Sequence, residues 1–257
     1  MPTHRPKRNQ VRPRLVDRIE LAMSMSRHVD GLWIVSWHDS SEHLTRVENA
    51  LSLIRQHSPL DYARIIRALE RIWVQLTFHR LAEYRHSLKA CVLDERYVAD
   101  PGTTVGQIAS TIVHEATHAR LEGYGIAYKE ERRTRIEAIC FRRERAFAAR
   151  LPDSAELQQE IARYWEWNEA NPDQFSDARF REYNTAGAAE ALRYLGTPDW
   201  LVRAALFSRP IIGRARRLSP LVAWATSVPC VIVFGLACAF AAFLNPKADS
   251  ESKPPQA

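Results

Sequence analysis

An α+β fold followed by one C-terminal transmembrane helix is what this 257-residue chain predicts. Three observations carry the prediction. Apolar runs of strand type are confined to the part of the chain before residue 104. Segments with apolar residues at helical spacing lie among them and then take over completely. Finally, residues 221–244 (LVAWATSVPCVIVFGLACAFAAFL) hold no charged residue, and about 20 residues suffice to cross the apolar core of a bilayer. With 46% hydrophobic and 26% charged residues the usage is globular, which excludes a wholly disordered, collagen-like or coiled-coil chain.

Residues 1–14 make a basic arm, in which Arg5, Lys7, Arg8, Arg12 and Arg14 have no acidic partner. The arm has no apolar stretch, so it is not a secretory signal. It reads as a solvated, disordered terminus, and nucleic acid or anionic lipid would suit its charge. Residues 32–37 (LWIVSW) read as a strand. Residues 42–57 carry Leu44, Val47, Leu51 and Ile54 at helical spacing, with Ser40 or Ser41 as cap. Ser58-Pro59 breaks that helix, and 61–71 restarts one with Ile65, Ile66 and Leu69 inward. Residues 72–78 suit a strand or a continuation of the helix. Residues 89–93 (KACVL) and 96–99 (RYVA) read as strands joined by a turn at Asp94-Glu95, and Asp100-Pro101-Gly102 is turn chemistry. A long helix over 104–122 stops at Gly123. Another over 128–150 stops before Pro152, and helices at 154–168, 176–195 and 199–207 follow.

The expected organisation is therefore an arm (1–14), a domain (15–210) with a small mixed sheet and a helical second half, the membrane helix (221–244), and a polar, disordered tail (245–257). Arg214, Arg216 and Arg217 precede the span, against Lys247 and Lys253 behind it. The positive-inside rule then puts the N-terminal domain in the cytoplasm, as a single-pass membrane protein. The four cysteines are sparse and two lie in the apolar run, which suits a reducing compartment rather than a disulfide framework.

The chemistry concentrates in residues 112–121, IVHEATHARL. His114 and His118 are four apart on a helix, so both imidazoles project from one face. Glu115 lies between them, where its carboxylate can reach a water on a metal that the two histidines hold. With this H-E-x-x-H pattern the chain resembles the zincin metallopeptidases, over about residues 89–150. The resemblance implies a zincin-like catalytic domain, Zn2+ on His114 and His118, and Glu115 as general base. It also implies an edge strand before the active-site helix that holds an extended peptide, a place that 89–93 or 96–99 would fill.

A catalytic zinc needs a third protein ligand. No histidine follows His118, and Leu121 and Tyr124 stand at the Gly and His positions of the metzincin pattern. The third ligand, if downstream, is a carboxylate or Cys140. The next helix offers Glu130, Glu131, Glu137 and Glu144, and the Gly123-Tyr124-Gly125 turn lets it fold back antiparallel. Glu137, within RIEAIC, has the most apolar setting and is the expected ligand. Glu130 and Glu144, seven residues to either side, roughly share its face and stay in play as ligands or supports. Cys140 reads as a small core residue. A glutamate on a downstream helix resembles the gluzincin branch. Tyr124, Tyr128, Tyr183 and His79 could each polarise a substrate carbonyl. Tyr164, Trp165 and Trp167 read as helix packing, and the arginines between 132 and 145 as a solvated face.

The expected function is a membrane-anchored zinc metallopeptidase that hydrolyses peptide or protein substrates. Its rival is a catalytically inactive zincin-fold module that binds or scaffolds at the membrane. Nucleic acid is not an expected partner, since the chain has no RNP, helix-turn-helix or zinc-finger pattern.

Overall fold

In the computed structural model, which describes residues 13, 15–36, 41–78, 81–204 and 206–207, the chain begins with α1 (Leu15–Met23), β1 (Met25–Val29) and β2 (Leu32–Ser36). Then come α2 (Ser41–His57), α3 (Pro59–Ala68), β3 (Arg71–Gln75), β4 (Ala82–Arg85) and, after a 3-10 turn at His86–Leu88, β5 (Ala90–Asp94). The helical half is α4 (Glu95–Ala99), α5 (Val105–Gly123), α6 (Glu130–Ala148), α7 (Ala155–Ala170) and α8 (Asp177–Tyr194). Two units are distinguished, 1–182 and 183–257. In the second, Ala189, Leu192 and Val202 pack together with Leu206. The first is a mixed α/β unit, and it carries everything that follows.

Its sheet has the order β1-β2-β3-β5-β4. The three inner strands run parallel, and β1 and β4 are antiparallel edges. LWIVS, RIWVQ and ACVLD are nearly continuous apolar runs, as parallel strands covered on both faces require. Ile34, Ile72 and Cys91 are register partners on one face, with Val74 and Leu93 beside them, and they join the main core with α2, α3 and α5. Val35, Trp73 and Val92 are register partners on the other face, in a smaller cluster that Leu21 of α1 touches.

Three elements differ from the sequence expectation. Residues 96–99 are helical, not a strand. The Asp94 side chain accepts from the Arg96 N–H at 2.9 Å and so caps a helix start, which overrides the strand preference of Tyr97 and Val98. The helix expected over 61–71 ends at Ala68. Leu69 is extended, and Glu70 is tied into the sheet by bonds from its N–H to Lys89 O and from Trp33 N–H to its own carbonyl. The glycine that turns the chain after α5 is Gly125 rather than Gly123. Gly125 has φ 83°, its N–H bonds Glu122 O, and the Ile126 N–H bonds Leu121 O, which together make a Schellman ending. Strands β1 and β4 and helix α1 were not expected at all. Among the described residues no helix is long and apolar enough to cross a membrane. Residues 221–244 and the tail 245–257 lie outside the described residues, as does nearly all of the arm.

Asp94 is also an electrostatic joint. Its carboxylate takes the Thr77 N–H and hydroxyl at 3.0 and 2.7 Å and the Arg96 guanidinium at 2.9 Å from two nitrogens. Burial alone would push its pKa up, but these bonds outweigh burial and hold it below the usual carboxylate range. A depressed carboxylate contributes stability that is complete above its unfolded value of about 4 and is lost as pH falls through the lower folded value. Asp94→Asn should therefore cost about 1–3 kcal/mol near neutrality. It should also flatten the acid limb of a denaturation series. An unchanged midpoint near neutrality would show that the joint carries no stability.

Candidate metal centre

Helix α5 is the axis of the site. It starts where the sequence places it, through a capping box. The Thr104 hydroxyl accepts the Gln107 N–H at 3.1 Å, and Gln107 Oε1 accepts the Thr104 N–H at 2.7 Å. Ile108, Ile112, Val113 and Ala116 lock it into the core. That packing aims His114 and His118 to one side, with ring centroids 5.1 Å apart. After the Gly125 turn, α6 returns antiparallel. Ser110 and His114 meet Glu144, and His114 and His118 meet Glu137.

The Glu137 carboxylate lies across both imidazoles. Its Oε2 is 3.2 Å from His114 Nε2 and its Oε1 is 3.5 Å from His118 Nε2. The Tyr128 hydroxyl donates to the same Oε1. Behind His114, Nδ1 bonds Glu144 Oε2 at 2.9 Å, and Glu144 Oε1 takes the Ser110 hydroxyl at 3.1 Å. His114, Glu115, Glu137 and Glu144 are all buried. Burial would lower the His114 pKa, but the flanking Glu137 and Glu144 hold it well above the histidine range. Burial would raise Glu137, but His118 and His114 hold it well below the carboxylate range.

This donor set fits zinc. Two Nε2 atoms face one carboxylate, and a second carboxylate on His114 Nδ1 fixes the ring so that Nε2 is the nitrogen offered. Cys140 is a further donor, since its Sγ and one nitrogen of each histidine lie within 4.8 Å of one another. Glu137 reaches Nε2 of His114 at 3.2 Å and Nε2 of His118 at 3.5 Å. The Cys140 thiol is buried, and burial followed by Glu137, Glu115 and Glu144 pushes its pKa far up, away from the thiolate that metals bind.

Glu115 is buried between the two histidines on the helix, and its charge is felt by the thiols of Cys91 on β5 and Cys140 on α6. Glu130 lies elsewhere, accepting the Asp177 N–H at 2.9 Å, and Glu131 is exposed. Among the aromatic candidates, Tyr128 reaches the site while Tyr124 is 76% exposed. Tyr183 belongs to the second unit and His79 lies outside the described residues. The Arg133 guanidinium lies 5.4 Å from the Tyr128 ring centroid and is itself held by Asp177 at 2.6 Å. Tyr164 and Trp165 pack around Phe141, whose ring meets His114 edge-on at 4.8 Å.

Sequence reasoning missed Ser110 and Phe141. Both lie at helical spacing from a site residue, Ser110 four before His114 and Phe141 four after Glu137. It also misplaced the edge strand. β5 is interior, between β3 and β4, and 96–99 is a helix, so the edge beside α5 is β4.

Glu144→Gln removes the charge on His114 Nδ1 but keeps the side-chain shape. Zinc affinity should fall about 10–100-fold, measured by chelator competition, while Glu130→Gln should leave it unchanged. Equal affinities for all three proteins would remove Glu144 from the site. No protein-family model, curated protein or solved structure matches the chain.

Proposed function

We propose that the chain is a zinc metallopeptidase of zincin type, anchored in a membrane by 221–244 with its catalytic domain in the cytoplasm. The observation that carries this reading is the Glu137 carboxylate lying across Nε2 of both histidines of H-E-x-x-H, with Glu144 behind His114. His114, His118 and Glu137 would hold the ion, leaving a position for water. Zinc, when bound, supplies a Lewis acid that acidifies that water and polarises the scissile carbonyl.

The remaining work falls to the chain's own side chains. Glu115 takes the proton of the attacking water and delivers it to the leaving amine nitrogen. Its buried position keeps that proton from bulk solvent. The Tyr128 hydroxyl donates to Glu137 Oε1 and would steady that carboxylate beside the two histidines. Among the described residues, strand β4 pairs on one side, with β5. A peptide pairing with its open side lies extended along the edge next to α5, and main-chain bonds tolerate varied side chains.

The test is zinc stoichiometry of the purified full chain together with hydrolysis of a mixed peptide library, with and without chelator. One zinc per chain and chelator-sensitive cleavage are expected. Bound zinc with no cleavage of any peptide would favour the inactive scaffold instead. For the anchor, deleting residues 218–257 should move the protein from the membrane to the soluble fraction, and a truncated chain that stays in the membrane would overturn it.

A further inference from the structure

Helix α1 shows solvent an apolar row. Leu15, Ile19 and Met23 recur every four residues, so they share one side of the helix. They are 67%, 50% and 71% exposed. The other side is the packed one, where Asp17 is buried and Leu21 touches the cluster of Val35, Trp73 and Val92. Single exposed apolar side chains are ordinary, but an aligned row is not. Met25, at the start of edge strand β1, is also exposed. Directly before the helix the sequence places Arg5, Lys7, Arg8, Arg12 and Arg14, with no Asp or Glu among residues 1–14.

We propose that α1 and the basic arm are a contact surface for a phospholipid bilayer containing anionic lipid. The arm meets the headgroups, and Leu15, Ile19 and Met23 enter the boundary between headgroups and acyl chains. An apolar helix face next to basic residues is the composition that lies in this interface. Each Lys or Arg near an anionic surface adds about fivefold to partitioning. Nucleic acid would use the arm and leave the apolar row in water. A second copy of the chain would cover the row and gain nothing from the arm. An anionic bilayer uses both. The surface is separate from the metal centre and does not depend on peptidase activity.

The test is amide hydrogen exchange over residues 15–25 of the full chain. Vesicles of phosphatidylcholine with phosphatidylserine are compared with vesicles of phosphatidylcholine alone. Exchange should slow about tenfold on the anionic vesicles and recover at high salt. The protection should vanish in the combined variant Leu15→Glu, Ile19→Glu, Met23→Glu. It should also vanish when the five basic residues are replaced by Ser, a change that leaves α1 itself intact. Exchange within α5 reports that each variant is folded. Equal exchange on the two vesicle types overturns the proposal. So does protection that rises with protein concentration without lipid, or that appears only with added RNA or DNA. Because the readout is local to α1, it stands whether or not 221–244 spans the bilayer.

Discussion

Replacing Glu115 by Gln is expected to lower peptide hydrolysis about 10²–10⁴-fold while the protein keeps its zinc. The amide has nearly the shape of the carboxylate but cannot take a proton from water at neutral pH. Glu115 is buried on α5 between His114 and His118, and the carboxylate that faces both histidines belongs to Glu137. On the proposed reading, metal holding and general-base function fall to different residues. The measurement is kcat/KM on a cleaved peptide beside zinc content by atomic absorption. Wild-type turnover in the variant would exclude Glu115 as the base. Loss of zinc along with activity would mean that Glu115 belongs to the metal-holding set.

The second large effect is expected at Glu137→Ala. Removing the carboxylate deletes a donor and leaves the buried His114 imidazole and the partly buried His118 imidazole facing a hole. Zinc affinity should fall by more than the about 10–100-fold typical of a supporting residue. Protons compete with the metal for the same nitrogen. Since Glu137 and Glu144 hold the His114 pKa high, wild-type zinc affinity should climb with pH through that raised value. In Glu137→Ala the His114 pKa loses one of its two supports, so the climb should begin at lower pH. Chelator competition across a pH series measures both effects. If Glu137→Ala binds zinc as tightly as wild type, with the same pH profile, the third donor lies elsewhere. Cys140→Ser is then the variant to measure next.

Much of the site could be read from sequence because its parts are close together on helices. The spacing of His114 and His118 fixes a shared face, and Glu137, singled out for its apolar setting, is buried, as is Glu144. What spacing could not decide was the division of labour between Glu137 and Glu144. Both lie on the face turned to α5, and which carboxylate meets which nitrogen depends on how the two helices are offset. The sheet was less legible. Asp30 and Gly31, with φ 49° and 85°, make the tight turn between β1 and β2. Asp-Gly before an apolar run is a strong hairpin signal that went unused. Strand β4 (AEYR) gave no signal because an edge strand of four half-buried residues shows neither a continuous apolar run nor clear alternation. Residues 96–99 misled because a cap from Asp94 costs little and outweighs the intrinsic preference of a four-residue segment.

The antiparallel pairing of α5 and α6 has a consequence for how the protein is made. His114 and Glu137 are 23 residues apart in the chain, and His114 and Glu144 are 30 apart. Bringing them together closes one short loop, whereas the sheet must wait for β2, β3 and β5 to find each other across intervening helices. The donors can thus assemble on a nascent helical hairpin before the sheet is complete. An ion captured at that stage would act as a folding nucleus, and zinc supplied during refolding should speed the reaction rather than only stabilise its product.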